Sequence, residues 1–398
     1  MSIMSNLANI RILFAFRFFS SLIPAYVIER LFWEERGMTI QMVVYAEIIY
    51  ALTIVLLEVP TGMMADRWGR KRMMVASALL GCSEFVILLF ATEFWHFAVV
   101  VFLAGIGRSA SSGSENALLY DTLQLQGKAS SFEKQLGRLN ACDLAAAILA
   151  ALSGSWLAAR FDLELNYWLS FGSALIALML SMLLAEPAAA EGGEGAAAGG
   201  KMPFKRYVTE SLRFFRQNPD VRLVVLSGMV TGTAMVYLYE FWQLYANRLE
   251  VPVVFFGALS TAIMLLQLPG SLLAHALAER IGRRTLLIGI TAVFAIGFAY
   301  AAVSRDVAGM AAMLVVCLFS GVMEPVVSGY LHHRTGSATR ATIDSFQSLG
   351  ANLVSMLAGL GFGLFSARYD VFGGYGFIAL LCGIFLVWLI AAGRSIAR

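Results

Sequence analysis

Seven ionisable residues interrupt long apolar runs: Arg17, Glu47, Glu84, Arg108, Asp143, Glu240 and Glu324. A charge in hydrocarbon costs at least ~2.5–3.5 kcal/mol, so such groups survive by pairing or by facing a wet cavity. Carboxylates there can carry a proton. Arginine stays charged at any accessible pH and can hold a carboxylate or an anionic substrate. Arg17 stands about eight residues into its run, and Glu47 about nine residues into the next from the other side, roughly 12 and 13 Å deep. Equal depth on adjacent spans predicts a direct or water-bridged Arg17–Glu47 contact, either a structural pair or part of a substrate site. Glu84 and Asp143 are further proton-linked candidates, and nothing in the sequence chooses between them. Glu240 lies in Tyr237-Leu-Tyr239-Glu240-Phe-Trp242-Gln243-Leu-Tyr245. Those aromatics read either as an interfacial belt or as the lining of a site for an amphipathic or cationic substrate. Gln267 and Tyr45 add neutral polar lining candidates.

The elements that must position these groups are set by composition. The 398 residues are 59% hydrophobic and 14% charged, with a mean hydropathy of +0.74. A soluble chain would be nearer ~25% charged. This excludes a disordered chain and a nucleic-acid binder, and argues against a soluble enzyme. Cys82, Cys142, Cys317 and Cys382 lie in apolar runs outside any CxxC pair, so they read as packing residues. The expected protein is all-α, polytopic and embedded in membrane lipid.

A span needs roughly 20 apolar residues. Twelve candidates follow: 9–32, 38–61, 72–92, 95–118, 138–159, 166–186, 220–247, 252–277, 285–304, 307–331, 343–367 and 373–393. Barrel strands would be about ten residues long and alternating, so these runs are helices. The first holds Arg17 and Pro24 and lacks a small-residue cleavage site, so it reads as a retained helix rather than a signal peptide. With the N-terminus inside, 21 of the 29 Lys and Arg fall in cytoplasmic loops and six outside. That asymmetry predicts a cytoplasmic membrane protein with both termini in the cytoplasm.

Residues 187–219 read as a linker between two six-helix bundles, 1–186 and 220–398. The stretch from Glu186 to Gly200 is rich in Ala, Gly and Glu, as a flexible tether would be. Beyond it Phe204, Tyr207, Val208, Leu212 and Phe215 recur at helical spacing beside Lys205, Arg206, Arg213 and Arg216. This fits an amphipathic helix on an anionic leaflet, or else a solvated linker.

The two halves repeat. Gly62-Met-Met-Ala-Asp66-Arg67-Trp-Gly69-Arg70-Lys71 is echoed 213 residues later by His275-Ala-Leu-Ala-Glu279-Arg280-Ile-Gly282-Arg283-Arg284. Arg108 in Gly105-Ile-Gly-Arg108-Ser-Ala-Ser-Ser112-Gly113 finds Glu324 at the matching place 216 residues on. Two motifs at nearly one offset point to duplication.

On these residues the chain resembles the major facilitator superfamily, whose signature loop is similar to Gly62–Lys71. The resemblance implies two six-helix bundles around a central cavity and alternating access by rocking of the halves. Arg108 and Gly113 resemble the Arg-x-x-x-x-Gly pattern of proton-coupled members, and Ser112–Asp121 is similar to bacterial drug-efflux-like branches. Span 5 departs from the antiporter pattern: it carries small residues around Gly154 but no Gly-Pro. In the family, spans 4 and 10 face the cavity from opposite halves. An Arg108–Glu324 pair would then bridge the bundles in one state and break in the other, unless each is simply solvated. The signature loop implies a gate: Gly62 and Gly69 for the turn, Asp66 to cap a helix, and Arg67, Arg70 and Lys71 to reach Asp121 or Glu115. Glu279, Arg280, Gly282 and Arg283 form its second copy. Plain positive-inside anchoring is the alternative.

No phosphate-binding loop is present, so a proton gradient rather than ATP is the expected energy source, with no cofactor. His332-His333 is a poor metal pair, and no metal site is expected. The expected function is proton-coupled export of drug-like or amphipathic compounds by a monomer, with substrate, protons and lipid as partners. A symporter or exporter of a polar metabolite is the alternative, and a non-transporting receptor on the same fold stands in another class.

Overall fold

Apolar runs in a bilayer must satisfy their own N–H and C=O groups, which an α-helix does within each run. The structure, a computed structural model, bears this out. It describes residues 2–187, 213, 215–334 and 337–396, with the side chains of all of these except 2–7, 59, 66, 332–346 and 393–396. Among the described residues the regular elements are helices. They are α1 (Ser2–Ser21), a 3₁₀ turn at Pro24–Val27, α2 (Glu29–Glu35), α3 (Ile40–Trp68), α4 (Arg70–Leu89), α5 (Phe94–Ser111), α6 (Ser114–Leu125), α7 (Phe132–Ala158) and α8 (Leu163–Leu183). After the linker come α9 (Pro219–Arg248), α10 (Phe256–Leu265), α11 (Gln267–Ile281), α12 (Arg283–Val303), α13 (Val307–Arg334) and α14 (Ser337–Ile396).

Among the described residues, eleven stretches are long and apolar enough to cross a membrane. The last, Gln347–Ala392, is 46 residues long and leaves helical geometry at Tyr369 and Asp370. It therefore supplies two crossings, and twelve spans result. The fold is all-α and polytopic.

Two compact units divide the chain. Unit 1 takes Met1–Ala196 with Val251–Thr261, and unit 2 takes Ala197–Glu250 with Ala262–Arg398. In unit 1, α1 packs on α7 and α8, and α4 on α5 and α8. Leu13, Phe16, Met74, Leu118, Leu119 and Leu184 fill one core. Ser155 Oγ donates to the Val253 and Val254 carbonyls at 2.7 Å, tying 251–261 to α7. Unit 2 is built around α9, which packs on α13 and α14.

The α9 aromatics are mostly core rather than belt or cation site. Tyr237, Phe241 and Tyr245 are buried. Phe362 stacks on Tyr237 and Phe241 at 4.9 and 4.6 Å, and Tyr375 meets Tyr245 edge-on at 5.4 Å. Of the expected amphipathic helix, Phe204, Tyr207, Val208 and Leu212 lie outside the described residues, while Phe215 is helical and buried.

Candidate functional site

The fourth span is broken. Gly113 has φ +76°, a left-handed conformation that glycine adopts at no steric cost. There α5 ends and α6 begins. The new helix start has unsatisfied N–H groups and a positive end, and Glu115 lies in its first turn, where a carboxylate is favoured.

Arg17 on α1 joins this point to α7. Its Nη1 donates to Glu115 Oε2 at 2.8 Å, and its Nη2 meets Asp143 Oδ2 at 2.7 Å and Asn140 Oδ1 at 3.2 Å. Ser21 Oγ donates to Asp143 at 3.4 Å. The expected Arg17–Glu47 contact is not formed. Counting residues gives depth but not direction around the helix axis, and α1 turns this face to α6 and α7. Glu47 is held instead by Arg30 at 2.6 Å. Arg30, near the outer end of the first span, is only 4% exposed. It also meets Glu29 at 3.8 Å and lies 4.4 Å over the Trp33 ring.

A cavity of about 500 Å³ opens inside unit 1. Arg17, Arg108, Glu84 and Glu115 bring its charge. Ser20, Ser21, Ser77 and Ser111 bring hydroxyls, and Tyr26 and Tyr50 phenols. Among the described residues, the Arg108 and Glu84 side chains make no hydrogen bond or ion pair. Unit 2 has its own cavity of about 240 Å³. Glu324, Gln267, Tyr239, Thr231, Ser320 and Ser328 line it. Gln267 donates to the Tyr239 hydroxyl and to the Ile263 carbonyl. Arg108 and Glu324 thus each face the cavity of their own unit. Glu240 and Tyr45 are not among the lining residues; exposed Tyr45 accepts a bond from Gln41 at 2.6 Å.

The signature loop turns at Gly69, not Gly62. Gly62 and Asp66 lie within α3, which continues to Trp68. Asp66's side chain lies outside the described residues. Gly69, at φ +96°, ends α3 and starts α4. The open amides of Arg70 and Lys71 donate to the Glu186 carboxylate, both at 2.8 Å. The cap expected from Asp66 is thus supplied from the far end of the bundle, and Glu186 belongs to the folded unit rather than to the tether. Arg70 bonds the Asp121 carboxylate and donates to the Ala117 carbonyl at 2.8 Å. Of its two expected partners Asp121 is the one engaged, because Glu115 is held by Arg17. Exposed Arg67 and half-buried Lys71 flank the turn. In the second copy Gly282 repeats the turn at φ +81°. There Glu279 meets His275 at 3.3 Å, Arg283 lies 5.1 Å over the Tyr330 ring, and Arg280 is exposed.

Sequence reasoning missed Asn140, Glu186 and the buried state of Arg30. Asn140 stands three residues before Asp143, one turn away on the same face of α7, which is a readable signal. Nothing local marks Glu186 as a cap.

Comparison with solved structures shows that this fold is shared by several of them. A nucleoside transporter NupG mutant superimposes with a TM-score of 0.77 at 12% identity, over 97% of this chain and 99% of that one. A D-xylose-proton symporter gives 0.71 at 12%, over 98% and 97%. A bacterial homologue of the human lysosomal transporter Spinster gives 0.68 at 15%, over 98% and 96%. By sequence the chain is similar to the multidrug resistance protein MdtH of Photorhabdus laumondii. That match is 29% identical over 122 residues, 31% of this chain and 29% of MdtH, so it takes in under a third of either protein. The family profile of the Major Facilitator Superfamily matches residues 10–254, more than half of the chain. With its twelve apolar crossings and its repeated Gly69 and Gly282 turns, this chain belongs to the Major Facilitator Superfamily.

Proposed function

We propose that the chain is a secondary active transporter of a small polar solute, working by alternating access in the cytoplasmic membrane with both termini inside. The observation that carries this reading is the lining of the two cavities. Serine hydroxyls and charged groups line one, and Thr231, Gln267, Tyr239 and Glu324 the other. A pocket for lipophilic compounds would be mostly apolar with a few polar anchors. Here charged, hydroxyl and amide groups share the lining with apolar side chains such as Phe16, Ile23 and Phe85, and a solute rich in hydroxyl or amide groups satisfies them. The nucleoside transporter and the D-xylose-proton symporter, which share the fold, are named for substrates of that kind.

Proton coupling fits the Arg17 cluster. One guanidinium serves two carboxylates, Glu115 and Asp143, so one negative charge is left over that a proton can neutralise. Glu324 is the corresponding candidate in unit 2. Transport of amphipathic drugs is the second reading, favoured by the partial similarity to MdtH.

Counterflow in proteoliposomes separates the readings. Vesicles loaded with an unlabelled pentose, nucleoside, amino acid or lipophilic cation are diluted into the labelled compound. Transient accumulation of a polar solute supports the proposal. Accumulation of the lipophilic cation alone would overturn it in favour of drug transport, and no counterflow of any compound would count against a carrier.

A further inference from the structure

Four charged side chains line the unit 1 cavity, and they are not equivalent. Arg17 and Glu115 are committed to each other at 2.8 Å, and Asp143 completes the pairing at 2.7 Å. Arg108 and Glu84 are not committed: among the described residues neither side chain has a hydrogen bond or ion pair. Arg30, whose charge acts on Glu84 along with that of Glu29, is itself held by Glu47 at 2.6 Å and meets Glu29 at 3.8 Å.

Helix packing sets where the two uncommitted charges stand. Added to Gly107, a Cβ would lie 3.5 Å from both Leu80 and Ser77, so that turn of α5 is level with Ser77–Leu80 of α4. Arg108 follows directly. Glu84 lies four to seven residues further along α4, roughly 6–10 Å at 1.5 Å per residue. The cavity therefore has the Arg108 guanidinium toward one end, near the Gly113 break, and the Glu84 carboxyl toward the other. Tyr26 lies within electrostatic reach of Glu84 and Tyr50. Unpaired charges at membrane depth are costly. A ligand charged at both ends engages both groups at once.

We propose that the transported solute is a small zwitterion, held with its carboxylate on Arg108 and its ammonium on Glu84. The proposal rests on the polar-solute reading above and narrows it. It predicts selection by charge separation. Too short a molecule reaches only one end, and a molecule with one charge leaves the other protein group unpaired.

Isothermal titration calorimetry on the detergent-solubilised full chain tests this without transport. The probes are glycine, 4-aminobutanoate and 6-aminohexanoate, with hexanoate, hexylamine and 1,6-hexanediol as one-charge and uncharged controls. One of the longer two amino acids should bind about tenfold or more tighter than any control, because charge-assisted hydrogen bonds form at both ends. R108Q should reduce its affinity to that of hexylamine, and E84Q to that of hexanoate. Melting curves check that both variants fold, and R108K and E84D, which keep the charges, should retain part of the preference. Equal binding of the zwitterion and either one-charge control would overturn the proposal, as would a preference unchanged in R108Q or E84Q. Such a failure alongside counterflow of an uncharged polar solute would leave the transporter reading standing. Tight zwitterion binding without counterflow would do the reverse.

Discussion

Arg17 of α1 and Glu115 of α6 meet at 2.8 Å beside the Gly113 break in the fourth span. Asp143 of α7 closes on the same guanidinium at 2.7 Å. Three helices are thus tied at one point, and the tie has more negative than positive charge. Removing Arg17 leaves two carboxylates near each other with no cation in direct contact, since Arg108 acts on Glu115 without an ion pair. R17Q should lower stability by about 1–3 kcal/mol, below the cost for a fully buried pair because the site is partly hydrated. R17Q/E115Q should regain part of that loss. Thermal melts in detergent check both, and equal melting temperatures for wild type and R17Q would remove the tie from the account.

At the other end of α4 the structural cap is Glu186. It accepts the amides of Arg70 and Lys71 at 2.8 Å. E186A should cost about 1 kcal/mol, the usual worth of a helix cap. Amide hydrogen exchange at Arg70 and Lys71 should accelerate, while that of the α9 core stays unchanged. G69A should cost about 1–2 kcal/mol, because φ +96° strains any residue with a Cβ.

Arg70 bonds the Asp121 carboxylate and the Ala117 carbonyl, joining the turn after α3 to α6. None of these groups lines the unit 1 cavity. R70A and D121N should therefore slow counterflow severalfold while leaving equilibrium binding of the substrate unchanged. Binding lost in proportion to transport would reassign the pair from gating to the substrate site.

Asp306, between α12 and α13, is the start of a well-formed turn. The Ser304 hydroxyl donates to its carboxylate at 2.6 Å and the Ala308 amide at 3.0 Å. Those bonds hold the Asp306 carboxyl below its usual range. A depressed value means the stabilisation is present above the unfolded-state pKa of about 3.9 and is lost as pH falls through the lower folded-state value. D306N should thus melt slightly below wild type at pH 7, and the gap should close as pH falls through the lower folded-state value. A gap independent of pH would show that the carboxylate charge does not contribute.

How much of this could be read beforehand follows from what each inference needed. The spans needed only run length and composition, and twelve crossings follow from both. The Arg70–Asp121 pair needed only a local motif and the helix that had to lie beside it. Glu186 as a cap needed a contact across 116 residues, which no local pattern carries. Gly113 was visible as a glycine, but its φ of +76°, and with it the start of a second helix at Ser114, was not. The α9 aromatics were ambiguous because rings at helical spacing suit a core as well as a cavity, and only the neighbouring Phe362 and Tyr375 decide it.

Arg17 and Glu47 show the same limit most plainly, and they supply the sharpest test. Both lie about 12 Å or more inside their spans by residue count, yet their partners differ. Arg17 belongs to Glu115 and Asp143, and Glu47 to Arg30. Residues without shared partners have additive effects on stability, whereas paired charges do not. A set of double-mutant cycles therefore maps the pairing in solution. R17Q/E47Q should lose the sum of its two single losses, to within about 0.5 kcal/mol. R30Q/E47Q should lose less than its sum, since Arg30 is 4% exposed and removing either partner alone leaves the other without its 2.6 Å contact. R17Q/E115Q should behave like R30Q/E47Q. Of the single changes, R30Q should cost most, because Arg30 is the most buried of these groups and contacts both Glu29 and Glu47. Coupling in R17Q/E47Q with none in R30Q/E47Q would reverse the assignment and return Arg17 to Glu47.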